Sequence, residues 1–354
     1  MTTDTTTTRG SGFEFHGNGP TTFDELYELF VESGFMPPEK AALVADNRPD
    51  IERGFNALQA HPPLLNWMTA RDEGGRATGY LSTIWCHRRT TMFQHLSGIR
   101  GSRTGGAMVV ELMKRTFVEP QFDFVKFYFL ADNPYPARIY GSFGEAASDD
   151  CTCTMRTVSH VVTSVDAPIG ELDRDIRVRE AAGDDLDWVD EYFADHETPL
   201  VRRAEDLTAE ALRLDELNRR YQKAGLFRYR HVLVAFRGVQ IVGCALVELS
   251  SPGLNLSEGL SAFRTFVADD AFGDEDAIRA ALVRAAQDIY RRAGRRTVLG
   301  LVGVDETPSY VRLGLSAPAT SRCILMHRAR FEDFAEHVGR LTRWRSRTLV
   351  GAAS

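Results

Sequence analysis

The stretch HLSGIRGSRTGGA, residues 95–107, joins the end of a predicted β-strand to the start of a predicted helix. Glycines at such a junction let backbone N–H groups approach an anion closely, and the helix N-terminus adds partial positive charge. Arg100 and Arg103 add full charges. A glycine before a helix is often only a turn, but the combination predicts a local pyrophosphate site. The candidate binding residues are Ser97, Ile99, Arg100, Gly101, Arg103, Thr104, Gly105, Gly106 and Ala107.

A second stretch, NPYPARIYGSFG, occupies residues 133–144. It follows residues 122–131, an almost wholly apolar run of the kind found in strands that are buried on both faces. One predicted helix, residues 105–117, and this strand separate the two stretches. Asn133, Ala137 and Tyr140 join the candidate binding residues.

The two stretches together resemble the GNAT superfamily of acyltransferases. Members carry an Arg/Gln-x-x-Gly-x-Gly/Ala loop after the fourth strand, to which Arg100 and Gly105 correspond at the first and last positions. Arg103 replaces the middle glycine of that loop. The second stretch resembles the Asn, Ala, Tyr and Gly pattern of the family through Asn133, Ala137, Tyr140 and Gly144. Glu145 departs from it, because a Phe usually follows the last glycine.

The resemblance implies that the first stretch holds acetyl-CoA or another acyl-CoA as co-substrate, without a metal. An amine would attack the thioester directly, so no covalent enzyme intermediate is needed. By resemblance, Tyr140 would protonate the departing thiolate, although a tyrosine on a helix is also commonly a packing residue. A phenol with a pKa near 10 is a suitable acid for a thiolate near 8.5. His95 is the candidate general base, with His87 and Asp132 as alternatives, although a lone strand histidine is more often structural.

The order of predicted elements is repeated along the chain. Each half reads helix, helix, hairpin, strand, helix, buried strand, short helix, strand, which is typical of a duplicated α+β unit. We therefore predict two tandem GNAT-like domains, each a mixed, mostly antiparallel sheet flanked by helices. The expected bounds are residues 1–12 as a disordered tail, 13–165 and 170–345 as the domains, and 346–354 as a second tail.

The C-terminal half repeats this layout without the chemistry. Residues 310–315, YVRLGL, echo the region around Tyr140, but the loop at 268–276, ADDAFGDED, is acidic. Its carboxylates would repel phosphates and would instead stabilise the following helix N-terminus. This half is expected to bind no CoA. It is expected instead to form one wall of the acceptor pocket or to stabilise the fold. A long helix over residues 208–224 is expected to cover the neighbouring domain through Leu212, Leu217 and Tyr221.

Composition limits the remaining possibilities. The 354 residues carry a net charge of −7, so nothing draws the whole chain to nucleic acid or to an anionic membrane. No run approaches the roughly 20 apolar residues of a membrane helix, and the N-terminus has no apolar signal core. Five scattered cysteines, including the pair Cys151 and Cys153, argue against a disulfide framework. A cytoplasmic protein is expected.

The sequence thus predicts an N-acyltransferase, most simply an N-acetyltransferase, that transfers an acyl group from acyl-CoA to a small amine. Two alternatives stay open. The first is a non-catalytic acyl-CoA sensor or scaffold, which Arg103 would favour if it disrupts the loop. The second is an acyltransferase that takes its donor from an acyl carrier protein, which would dock on the arginine-containing surface near residues 100–115.

CoA is predicted to bind once per chain, in the N-terminal half, because the two loops carry opposite charge. Calorimetry should give one site per chain, and Arg100→Glu should weaken it by reversing a charge beside the phosphates. Two equivalent sites, or binding unaffected by Arg100→Glu, would contradict this prediction.

Overall fold

A computed structural model describes residues 7–10, 13–36, 41–42, 44–45, 47–62, 64–99, 105–271 and 273–351, with backbone only for 7–15 and 342–351.

In the first half, α1 begins after Thr22, whose side chain accepts a hydrogen bond from Glu25 N, and buries its Phe23 and Phe30. The elements of this half are β1 (Thr7–Gly10), β2 (Phe13–Gly17), α1 (Phe23–Glu32), α2 (Arg48–Gln59), β3 (Leu65–Arg71), β4 (Ala77–His87), β5 (Thr90–Gly98), α3 (Gly105–Val118), β6 (Phe124–Leu130), α4 (Pro134–Pro136), a π-helical turn (Ala137–Gly141), α5 (Ser142–Ala147) and β7 (Cys153–Ser164).

The second half repeats this order. Its elements are β8 (Ile176–Glu180), α6 (Asp184–His196), α7 (Pro199–Ala204), α8 (Asp215–Lys223), β9 (Arg228–Arg237), β10 (Gln240–Ser250), β11 (Ala262–Val267), α9 (Glu275–Arg292), β12 (Thr297–Gly303), α10 (Thr307–Arg312), β13 (Ser316–His327), a 3₁₀ turn (Arg328–Arg330) and α11 (Phe331–Gly351). The predicted duplicated α+β unit is therefore confirmed.

One predicted helix is wrong at its start. The helix expected from residue 208 begins only at Asp215, because Leu214 adopts a left-handed backbone with φ +58° that no helix continues through. A separate short helix, α7, precedes it and was not predicted. Thr198 caps α7 by accepting a hydrogen bond from Val201 N.

The described strands form one continuous sheet in the order β1-β2-β3-β4-β5-β6-β13-β7-β12-β11-β10-β9-β8. Only the pairs β5–β6 and β11–β12 are parallel, so the sheet is mixed and mostly antiparallel, as predicted. The last strand of each half is exchanged. β13 pairs with β6 of the first half, β7 pairs with β12 of the second half, and β7 and β13 pair with each other.

Helices cover both faces of this sheet. We call one face the α3 face, because α3, the π-helical turn, α5 and α11 pack there over the first half and α9 and α10 over the second. The opposite face, the α1 face, carries α1, α2 and α8 in one cluster and α6 and α7 in another. Since side chains alternate along a strand, each central strand contributes to both layers.

The two halves share an apolar core. Leu217 and Tyr221 of α8 lie in one cluster with Trp85 of β4, and the Tyr221 hydroxyl donates to the Trp85 carbonyl at 2.7 Å. This confirms that these two residues cover the neighbouring domain, whereas Leu212 belongs to the cluster under α6 and α7.

Buried ion pairs also join the halves. Lys126 of β6 and Arg264 of β11 both donate to the Glu205 carboxylate at 2.6 Å. Burial alone would raise the pKa of Glu205, but the two cations outweigh it and hold that pKa well below the usual range. Breaking such a pair would leave an uncompensated buried charge, so both halves are required for the charges at this seam to be satisfied.

An isolated fragment of residues 1–165 is expected to aggregate or to lose acceptor turnover. It would lack β13, which covers the edge of β6, and it would leave β7 without both of its partners. Size-exclusion chromatography and an activity assay of the fragment beside the full chain provide the measurement. A monomeric, fully active fragment would contradict the shared fold.

Candidate active site

The two central strands of the first half separate partway along their length. β5 and β6 pair in parallel from Thr90↔Phe124 to Phe93↔Phe127, and beyond that pair each continues without the other. A β-bulge in β5 coincides with the separation, since Tyr80 pairs with Ser97 and Ser82 with Gln94. His95 lies in this bulge with φ +58°. A bulge bends its strand, so the sequence opens a gap in the sheet beyond Phe93 and Phe127.

The predicted phosphate-binding stretch begins at this gap and ends at α3. Arg100, Gly101, Arg103 and Thr104 lie outside the described residues. Gly105 starts α3, and a Cβ there would overlap the Tyr135 hydroxyl, so a glycine is required while Tyr135 keeps its place. The N-terminal turn of α3 therefore lies against the segment that follows β6.

The other members of the stretch differ in environment. Ser97 Oγ is hydrogen-bonded to Ser33 Oγ at 2.5 Å, and Ile99 N donates to Thr78 O at 2.9 Å. Gly106 is buried and Ala107 is exposed. Ser97 is thus tied to the end of α1, and the backbone of Ile99 to β4.

Tyr140 lies beneath the gap on the α3 face. It belongs to the π-helical turn, and its ring stacks on Phe127 with centroids 4.3 Å apart and on Phe334 of α11 at 6.2 Å. Its hydroxyl is buried and has no hydrogen-bond partner among the described residues. Burial disfavours the phenolate and raises the pKa of Tyr140 well above its usual value. Tyr140 is therefore a protonated phenol to which no described residue is hydrogen-bonded.

The rest of the second stretch positions this turn. Asn133 Oδ1 accepts a hydrogen bond from Tyr135 N at 3.3 Å. A Cβ on Gly144 would lie 3.0 Å from both Ile324 of β13 and Met155 of β7, so glycine allows α5 to pack closely on the exchanged strands. In the family pattern the Ala stands three residues after the Asn. In this chain that position is Pro136, and Ala137 lies one residue further on.

The candidate bases occupy three different environments. His95 Nε2 accepts a hydrogen bond from Leu256 N at 3.2 Å, and its Nδ1 lies 3.5 Å from Ser82 Oγ. His87 lies at the opposite end of β4 from the gap, buried 3.8 Å from Glu248, and burial lowers its pKa to about 3. Asp132 is exposed in the turn after β6. Of the three, His95 is the one that the structure brings to the gap.

A polar cluster that the sequence did not indicate lies on the α1 face of the gap. We call Tyr128, His160 and Ser321 the His160 cluster. His160 Nε2 lies 2.8 Å from both the Tyr128 hydroxyl and Ser321 Oγ. The three residues come from β6, β7 and β13, which the strand exchange makes adjacent. The one sequence signal is that neighbouring residues of a strand face opposite sides, so Tyr128 faces away from Phe127.

A loop of the second half covers this face of the gap. We call residues 251–261, between β10 and β11, the cover loop. Besides the Leu256 contact with His95, its Asn255 donates to Gln94 Oε1 at 2.7 Å. Gly259 lies near Tyr128, since a Cβ there would be 4.0 Å from the ring. Both halves therefore border the α1 side of the gap.

The corresponding strands of the second half also pair over a short stretch. β11 and β12 pair only at Ala262↔Leu299 and Phe263↔Gly300, and the Phe263 ring covers Gly300 at the last of these pairs. Tyr310, the counterpart of Tyr140, is hydrogen-bonded through its hydroxyl to Thr265.

The carboxylates of the second-half loop are also engaged. Asp269 contacts His196, Asp270 accepts from Gln240, and Asp274 accepts from Arg237. That this half binds no CoA stays a prediction.

Among the described residues, no cluster of His, Cys, Asp and Glu is arranged to hold a metal ion. None of the described helices combines the length and apolar character needed to cross a bilayer.

Many solved structures resemble the chain, among them the following three. A GCN5-related N-acetyltransferase from Sphaerobacter thermophilus has a TM-score of 0.53 at 17% identity, over 88% of this chain and 95% of that one. A GCN5-related glucosamine N-acetyltransferase region of a fungal multi-domain GH3 β-N-acetylglucosaminidase has a TM-score of 0.50 at 13% identity, over 88% of this chain and 38% of that one. A tandem GNAT protein from the clavulanic acid biosynthesis pathway has a TM-score of 0.48 at 14% identity, over 89% of this chain and 98% of that one.

No protein-family model and no curated protein matches the sequence. At these identities the likeness is one of architecture, and it agrees with the gap between β5 and β6 and with the repeated element order. The chain has the fold of the GCN5-related N-acetyltransferases, present in tandem.

Proposed function

We propose that the protein transfers an acyl group, most simply acetyl, from acyl-CoA to a small amine at the gap between β5 and β6. The observation that carries this proposal is the buried hydroxyl of Tyr140 beside that gap, which has no partner among the described residues. A buried polar atom without a partner costs free energy, and its retention is explained if a ligand supplies the partner. The corresponding hydroxyl in the second half, that of Tyr310, is already bonded to Thr265.

The residues at the gap fit an acyl-CoA. Beyond the last β5–β6 pair, backbone groups of both strands lack each other as partners, which suits an extended amide-containing chain such as pantetheine. The glycine-rich start of α3 suits the pyrophosphate, since a helix N-terminus favours negative charge. The apolar rings of Phe93 and Phe127, 4.8 Å apart, form the floor at which the gap ends.

Catalysis would follow from position and proton transfer. When bound, the thioester supplies the electrophilic carbonyl. Tyr140 would donate its proton to the sulfur that leaves, and its raised pKa keeps that proton in place across the physiological range. Exclusion of water by Phe127 and Phe334 would strengthen this transfer.

Replacing Tyr140 by Phe should reduce kcat by roughly 10²–10⁴-fold while leaving CoA affinity nearly unchanged. The fold should tolerate the change, because the lost hydroxyl makes no hydrogen bond to the described residues. Thiol release from acetyl-CoA with a panel of small amines measures the rate, and calorimetry measures CoA binding.

The matched control is Tyr310→Phe, which removes the corresponding hydroxyl from the second half. It should cost about 1 kcal/mol of stability through the lost hydrogen bond and leave kcat unchanged. An unchanged kcat in Tyr140→Phe, with chemistry limiting the rate, would remove Tyr140 from the reaction. Stoichiometric CoA binding by the wild type without turnover of any amine would point to a sensor instead.

A further inference from the structure

We propose that His160, held by Tyr128 and Ser321, accepts the proton of the attacking amine, an inference that rests on the proposed acyl transfer. His95 is the candidate base that the sequence predicts, and no sequence motif indicates His160. The two histidines differ in how their ring nitrogens are occupied. His95 Nε2 already accepts the Leu256 N–H, and its Nδ1 is next to Ser82. His160 Nδ1 makes no hydrogen bond to any residue that the structure describes.

The position of the His160 cluster follows from two consecutive residues of β6. Phe127 is the last residue of β6 that pairs with β5, and it faces Tyr140 on the α3 face. Tyr128 comes next, faces the α1 face, and contacts His160. The proposed acid, which stacks on Phe127, and the proposed base, which bonds to Tyr128, therefore lie on opposite faces of the sheet beside the start of the gap. In this arrangement the base serves an amine that approaches from the α1 face, and the acid serves the sulfur on the α3 face.

The two hydroxyls fix the orientation of the imidazole. A neutral ring nitrogen has one hydrogen-bonding site in the ring plane, so Nε2 can serve Tyr128 and Ser321 only alternately. With Nε2 held on the sheet side, Nδ1 points to the other edge of the ring. If Nε2 carries the proton and donates it to one of the hydroxyls, Nδ1 keeps the lone pair that a base requires.

The surroundings keep His160 neutral. Burial lowers its pKa below the usual imidazole value, so the basic form predominates at neutral pH. The charged and titratable groups on the same face of the neighbouring strands, or packed over it, are Tyr128, Lys126, Cys323, Arg156, Arg264, Glu205, Glu197 and Glu258. Most of the charges are paired internally, Lys126 and Arg264 with Glu205, and Arg156 with Glu197.

The proton balance is complete. The amine nitrogen forms a bond to the carbonyl carbon and gives its proton to His160 Nδ1, while the C–S bond breaks and the thiolate takes the Tyr140 proton. The products are an amide and a free thiol. Exchange with water then returns a proton to Tyr140 and removes one from His160, so no further reactant is needed.

The test uses the full chain with His160→Gln, which retains a polar group near Nε2 but lacks a base. Thiol release from acetyl-CoA with a panel of small amines should fall by about 10²–10⁴-fold in kcat/KM for the amine, with CoA affinity unchanged. In the wild type, activity should decrease as the pH falls through the lowered pKa of His160, and this acid limb should be absent from the variant. Amines of low pKa should restore part of the lost rate, because they are unprotonated without help. His95→Gln is the matched control and should retain the acid limb.

Each outcome decides one question. Loss of the acid limb in His160→Gln, together with its retention in His95→Gln, supports the proposal. Turnover by the wild type with an unchanged rate and pH profile in His160→Gln overturns the role of His160 and leaves the proposed function standing. Absence of thiol release by the wild type with every amine overturns the proposed function, and the role of His160 with it.

Discussion

The antiparallel pairing of β7 with β13 is the contact on which the rest of the structure depends. Each of these strands belongs to one half by chain order and to the other by its second partner. The exchange covers the outer edges of β6 and β12, which would otherwise be exposed and prone to pair with other chains. It also places the gap inside a continuous sheet, where both halves supply its walls.

The corresponding tyrosines differ in the two halves. In the first half, the hydroxyl of Tyr140 is buried without a partner among the described residues. In the second half, Tyr310 is bonded to Thr265. The second half nevertheless contributes to the surroundings of Tyr140 and of the gap between β5 and β6. Phe334 packs on Tyr140 from the α3 face, and the cover loop borders the α1 face. On the proposed function, the second half is retained because its side chains complete the site of the first half.

Local patterns predicted most elements. For example, α3 begins at the predicted Gly105, and β6 lies within the apolar run at residues 122–131. Their signals are alternation, helical periodicity and turn residues, which depend only on neighbours in sequence. The helix start at Asp215 was missed because one left-handed residue, Leu214, interrupts an otherwise helical pattern. The strand exchange was not predictable, since the sequence of one strand does not determine which strand it pairs with.

The candidate site likewise contains residues that local motifs predicted and a residue that only the tertiary structure reveals. Tyr140 and Gly105 lie in motifs with recognisable spacing, and the structure sets them at the gap. His160 has no motif, and its importance appears only once β7 is placed beside β13 and one strand from β6. Tertiary pairing creates that cluster from three residues that are distant in sequence.

Hydrogen exchange followed by mass spectrometry, with and without saturating CoA, tests the central claim most directly. Slowed exchange of backbone amides reports where a ligand orders or covers the chain. The account predicts protection at residues 94–99, 105–110 and 128–130, around the gap between β5 and β6, and none at 264–268 and 275–280, the corresponding residues of the second half. Protection at the second set of residues, or at neither, would contradict it.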